Sequence, residues 1–276
     1  VSSSARSSAR SSIVSQSALY TSELEPAPHQ VSMPSHNACL TAARLTQWAH
    51  HVQNVLGGEG LESLKELSPL ALQRQEGPAA TTLKECGIDD IMLLHSSIDA
   101  CILSSDCKRL IWVVCNQHEF SFSKFNSILD NHVFYDVCFT GFRTVQPTLA
   151  SVEIAQARPD VLVSCLTIAM PKLHDALPVK HLAHSLPNYQ MIRLEHASDV
   201  PSTSSSLIGH LIMLGGSTTR AYLFDKHKSN KVVLSIFKTE SSLETFVSSL
   251  ERIAHLGLPW PHELEGTKQQ GKNQVV

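Results

Sequence analysis

Downstream of Lys108 the chain is built from short apolar runs that do not alternate with polar residues. This constrains the fold more than any other feature. Leu110–Cys115, Tyr135–Phe139, Val161–Ile168, Leu207–Leu214 and Val232–Phe237 are rich in β-branched side chains. A strand with one wet face alternates, whereas a run that is apolar throughout is buried on both faces, as in a parallel sheet between helices. Helical stretches separate the runs, around Phe122–Leu129, Leu149–Ala157, Leu173–Leu186 and Leu243–Leu256. Gln190–Glu195 reads as an additional strand and the polar Ala197–Ser206 as an inserted loop. The alternation predicts an α/β domain over residues 108–258, a doubly wound parallel sheet whose ligands sit beyond the carboxyl ends of its strands.

The preceding segment has a different period. Leu45, Trp48, Ala49, Val52, Val55 and Leu56 recur at helical spacing, and Gly57-Gly58 makes a stop. A second helix begins at Leu61, and a third is expected from Leu83 to Leu103 along the stripe Ile88, Ile91, Leu94, Ile98 and Ile102. Residues 37–107 therefore read as a small helical bundle. Residues 1–36 are a Ser-rich tail, with ten serines in the first 22 positions, too poor in apolar surface to offset the entropy of ordering. Residues 259–276 read as a polar C-terminal tail.

Composition removes several function classes. A net charge of -3 with 17% charged residues argues against direct nucleic-acid binding, and 6% aromatic residues against a stacking platform. No run reaches the ~18 apolar residues of a membrane span. The seven cysteines are scattered and form no CxxC pair; Cys115 and Cys165 lie in apolar runs, where cysteine acts as a small hydrophobe. A reducing, cytoplasmic setting is expected. There is no G-x-S-x-G, no H-E-x-x-H and no P-loop, so no catalytic apparatus is read and the chain is not expected to be an enzyme.

What stands near the predicted carboxyl ends is more specific. Asn116-Gln117-His118-Glu119-Phe120-Ser121 follows the first strand, Ser164-Cys165-Leu166-Thr167 ends the third, and Gly215-Gly216-Ser217 follows the fourth. In this order the elements resemble the cobalamin-binding domain family, a flavodoxin-like, Rossmann-like fold with an Asp-x-His-x-x-Gly loop, a Ser-x-Leu about forty residues later and a later Gly-Gly pair. His118 takes the histidine position, Ser164-Cys165-Leu166 matches Ser-x-Leu, and Gly215-Gly216 supplies the pair. The sequence departs from the pattern at Asn116, which stands for the family aspartate, and at Ser121, which stands for the glycine.

The resemblance implies that His118 is the lower axial ligand of cobalt. Asn116 and Glu119 would flank it, and Ser164, Leu166, Thr167, Gly215, Gly216 and Ser217 would line the channel for the nucleotide tail. Trp48, beside His50 and His51, is similar to the bundle residue that covers the upper cobalt face in light-sensing members. The residues' own reading makes Trp48 core and the two histidines surface. The implied cofactor is cobalamin, as adenosylcobalamin or hydroxocobalamin, with heme as the alternative. The implied role is that of the AerR/PpaA-type antirepressors: a photoreceptor-like regulator acting on transcription through a repressor protein of the PpsR/CrtJ kind. A corrinoid carrier subunit of a methyltransferase is the further alternative.

Overall fold

A computed structural model describes residues 34–56, 77–93, 100–105, 109–115, 120, 122–171, 179, 182–183, 185–196, 209–214, 221–224, 242–258 and 260. The tail expected over residues 1–36 falls almost wholly outside these, as do the helix beginning at Leu61, the strand Val232–Phe237, the loop Ala197–Ser206 and nearly all of residues 259–276.

Among the described residues, eight strands form one sheet in strict chain order: β1 (Asp90–Leu93), β2 (Ala100–Ser105), β3 (Leu110–Cys115), β4 (Asp136–Phe142), β5 (Val163–Ile168), β6 (Tyr189–His196), β7 (His210–Leu214) and β8 (Ala221–Phe224). Strands β3 to β7 run parallel. The antiparallel pairs β1–β2, β2–β3 and β7–β8 complete the two sides. The α/β expectation holds, and the strands near Leu110, Tyr135, Val161, Gln190 and Leu207 are all present.

The doubly wound, flavodoxin-like form is corrected by the strand order. A doubly wound sheet starts in the middle and reverses, which sends helices to both faces and opens a crevice at the reversal. Among the described strands the order never reverses, so successive crossovers of one hand place their helices on a single face. Helices α3 (Phe122–Asn131) and α4 (Gln146–Ala157) do lie together, packing Phe125, Leu129, Ala150 and Ile154 on Ile111, Val113, Val137, Phe139, Val163 and Cys165. The opposite face is covered by α1 (His36–Leu56) and α5 (Leu243–His255), which bring Cys39, Ala42, Leu45, Phe246 and Leu250 onto Trp112, Val114, Cys138, Leu166, Ile192 and Ile212. Each central strand thus sends alternate side chains to two dry layers, which is why its sequence does not alternate.

Side-chain bonds tie the covering helices down. Thr46, fully buried on α1, donates to the Ala42 carbonyl (2.7 Å) and meets Thr140 of β4 at 3.1 Å. The His36 ring bonds the Leu250 carbonyl at 2.8 Å, and Arg44 pairs with Glu251 at 2.9 Å.

The helix expected over Leu83–Leu103 is absent. Helix α2 (Gly77–Glu85) ends at left-handed Gly87 (φ 73°), where the Gly87 and Ile88 amides bond the Lys84 and Leu83 carbonyls and close a Schellman cap. The chain then turns into the β1–β2 hairpin.

Helix α4 is capped from a distance. Asn188, 8% exposed, donates from Nδ2 to the carbonyls of Ala155, Arg158 and Val161 at 2.9–3.0 Å. Removing the amide leaves these acceptors without that donor, so Asn188→Ala should cost about 1–3 kcal/mol by chemical denaturation. Of the described cysteines, Cys39, Cys86, Cys115, Cys138 and Cys165 are all buried. Burial pushes the Cys165 thiol up to about 11, and Cys39 and Cys138 also upward. At pH 8 these five should stay unreactive toward a chromogenic disulfide reagent until denaturant is added.

Candidate functional site

The carboxyl end of β4 carries a tightly constrained turn. Strand β4 passes through Gly141 and Phe142 to Arg143, which is left-handed (φ 51°), and three residues later α4 begins. A non-glycine residue in this region is unusual and costs about 1–2 kcal/mol. The turn is held by the Arg143 amide, which donates to the Ile168 carbonyl at 2.9 Å. Gly141 has to be glycine: a Cβ there would collide with the Cys115 carbonyl oxygen and lie 2.7 Å from Pro147 Cγ. Thr144 accepts from the Gln146 amide at 3.2 Å, and Pro147 suits the first helical turn.

A buried strand, a sharp left-handed residue and an immediate helix make the framework on which hydrolases expose a nucleophile. In Gly141-Phe142-Arg143-Thr144-Val145 the first glycine of that pattern is present, and the apex residue is an exposed arginine. Its guanidinium stacks 5.2 Å above the Phe142 ring.

Three elements bring further polar groups to this apex. His50 of α1 lies edge-on to Phe142 at 6.2 Å, Phe142 meets Phe246 of α5 at 6.3 Å, and His196, the last residue of β6, meets Phe246 at 6.0 Å. Glu244 sits in the first turn of α5. The Ser242 hydroxyl holds its carboxyl below the usual carboxylate range, and the neighbouring charge of His50 adds to this. The cluster therefore comprises a guanidinium, two imidazoles and a carboxylate around a pair of phenylalanines.

Of the residues expected to hold a cofactor, Trp48, Ser164, Leu166 and Thr167 are among those the structure describes. Asn116, His118, Glu119, Gly215, Gly216 and Ser217 lie outside the described residues. Ser164 is the second residue of β5, not near its carboxyl end, because the strand runs on to Ile168. Strand alternation then divides the expected set. Ser164 and Leu166 turn to one side, with Leu166 in the α1–α5 core, and Thr167 turns to the other. Trp48 is 4% exposed in that same core, so of the two readings the core one holds. His50, read as surface, is half-buried against Phe142.

Sequence reasoning also missed a buried ion pair beside Thr167. Arg193 and Glu195, each 3% exposed on β6, meet at 2.6 Å, and Arg193 donates to the Met170 carbonyl at 3.3 Å. Arg193 Nε and Thr167 Oγ1 have no hydrogen-bond partner among the described residues. No group of three or more metal-binding side chains occurs among the described residues, and no described helix is long and apolar enough to cross a membrane.

No protein-family model matches the chain, and no curated protein matches it. Among solved structures it is similar to a fungal lipase in an inhibitor complex, with TM-score 0.45 and 10% identity over 67% of this chain and 81% of the other. It is similar to lipase II from Rhizopus niveus, at 0.44 and 15% over 64% and 80%. A triacylglycerol lipase from Penicillium expansum follows, at 0.37 and 11% over 58% and 80%.

The cobalamin-domain resemblance is therefore corrected. Among the described strands the sheet has no reversal at which a corrinoid tail could insert, and Thr167 turns away from the side that Ser164 and Leu166 share. The antirepressor, photoreceptor, heme-sensor and corrinoid-carrier readings rested on that resemblance and fall with it. The expectation that the chain is no enzyme is corrected as well. It rested on the missing G-x-S-x-G, whereas the strand, left-handed residue and helix that such a motif marks are present in the backbone at Gly141–Gln146.

Gly141→Ala tests the elbow directly. The clash is with backbone and with a proline ring, neither of which can swing away, so the variant should lose several degrees in melting temperature and the Arg143–Phe142 stacking with it. A wild-type melting curve would show that the turn does not depend on the glycine.

Proposed function

We propose that this chain is a hydrolase-type protein, built on an α/β-hydrolase-like framework, that acts at the carboxyl edge of its sheet on a carboxylic ester bearing a negative charge. The observation that carries this reading is the β4–α4 elbow with Arg143 at its apex. A guanidinium stays protonated and cannot attack an acyl carbon, but its fork of donors suits a carboxylate or a developing oxyanion. The Phe142 and Phe246 rings offer apolar surface to the rest of the ligand.

With arginine at the apex, attack falls to water. The oxygen of water bonds to the acyl carbon while His50 takes its proton, and Glu244 favours the imidazolium so formed. The carbon–oxygen bond of the ester then breaks, and the departing alkoxide recovers the proton from His50. Arg143 meets the charge on the tetrahedral oxygen or on the ligand's own acid group. The net change is ester plus water to acid plus alcohol, with no acyl-enzyme.

The test compares a mono-p-nitrophenyl succinate with a neutral p-nitrophenyl butyrate. Wild-type protein should hydrolyse the anionic ester faster and without a burst. Arg143→Ala should raise KM for the anionic ester alone, and His50→Gln should lower kcat about 10²- to 10⁴-fold. Release of p-nitrophenol at the buffer rate by wild-type protein would defeat the reading. Loss of binding without turnover in either case would leave Arg143 as an anion site and remove His50 from the chemistry.

A further inference from the structure

The opposite, amino-terminal edge of the sheet carries another departure from local backbone rules. Between α3 and β4 the chain makes a four-residue turn, His132-Val133-Phe134-Tyr135, closed by the Tyr135 amide on the His132 carbonyl at 3.3 Å. Phe134, third in the turn, is left-handed with φ 70°. That position of a turn with this geometry favours glycine, and a bulky aromatic there is strained. The ring gains nothing from the fold in return: Phe134 is 83% exposed and Val133 61%.

A third exposed apolar side chain lies on the same edge. Leu162, 60% exposed, precedes β5, and its carbonyl accepts from the Val137 amide at 2.9 Å, which sets it beside the start of β4. Singly exposed apolar residues need no explanation, but three at one edge with one held against backbone preference do. Around this tip the outward carboxylates outnumber the outward cation, the exposed Arg109, whose carbonyl accepts from the Asp136 amide at 2.9 Å. Asp130 and Asp160 are 69% and 62% exposed, while Arg158, which pairs with both at 2.9 and 3.0 Å, is only 22% exposed. The exposed Asp136 lies on the same edge.

We propose that this tip is a docking surface for a partner protein that offers an apolar cleft for Phe134, Val133 and Leu162 and a lysine- or arginine-bearing rim for Asp130 and Asp160. An exposed aromatic beside outward carboxylates matches such a cleft in both apolar surface and charge. An anionic membrane would meet the same carboxylates as repulsion. The surface lies at the other end of the parallel strands from the elbow and is independent of the ester-hydrolysis reading.

The test uses the full chain and a synthetic amphipathic helical peptide with one leucine face and one lysine face, read by fluorescence anisotropy. Wild-type protein should bind it. Phe134→Gly should bind about tenfold more weakly, Asp130→Asn with Asp160→Asn should weaken it further, and a peptide with glutamate for lysine should not bind. Phe134→Gly should also melt at a higher temperature, because glycine relieves the left-handed turn. Equal affinity of wild type and Phe134→Gly, or binding of the glutamate peptide, overturns the proposal. So does a lower melting temperature for Phe134→Gly, which would make the ring a folding residue. Binding only to phosphatidylcholine–phosphatidylserine vesicles, or a sedimenting dimer that Phe134→Gly abolishes, overturns it in favour of a lipid surface or a second copy.

Discussion

Among the described strands the order across the sheet never reverses, and most of the architecture follows from that. When each parallel strand is laid on the same side of the one before, the connecting helices collect on one face. That face is served by α3 and α4, and the other has no crossover helix among the described residues to cover it. Its cover comes from α1 and α5, drawn from either side of the sheet in the sequence and joined through His36–Leu250 and Arg44–Glu251. Residues 36–56, which by pattern alone look like the start of a separate bundle, are thus half of the lid over a shared core.

The strands were legible because burial on both faces leaves a mark in composition: Leu110–Cys115 is a strand from end to end as its sequence suggests. Helices α4 and α5 were legible through their apolar spacing. The β1–β2 hairpin was not. Ile91, Leu94, Ile98 and Ile102 are spaced like a helical stripe, and strands of four and six residues are too short to show a period of their own. What decides the matter is long-range, since β2 finds its hydrogen bonds on β3. Strand order was invisible for the same reason. An alternating sequence of strands and helices is compatible with both a reversing and a non-reversing sheet, and only the pairing register separates them.

The candidate site was illegible in a different way. Motif reading looks for side chains, and the serine and second glycine of the familiar hydrolase signature are absent from Gly141–Val145. The backbone that such a signature usually marks is there, held by Gly141 against the Cys115 carbonyl and by the Arg143 amide on Ile168. A glycine closing a buried strand six residues before a proline was the available signal. Strand β4 is unusual in having left-handed, non-glycine residues beside it at both ends, Phe134 before and Arg143 after. Both sit where folding alone would prefer glycine, so the ends of this strand are where stability has been given up.

The α1–α5 cover has a consequence for biosynthesis. Helix α5 lies more than a hundred residues beyond β4, the strand whose face it helps to bury. While the ribosome makes the intervening chain, Trp112, Cys138, Leu166 and Ile192 can be met by α1 alone, and the groove meant for Phe246 and Leu250 stays open. The nascent protein therefore carries a half-covered apolar face for much of its synthesis, a state that invites chaperone binding or mispairing with a neighbouring chain. Release from that state waits on a single thirteen-residue helix.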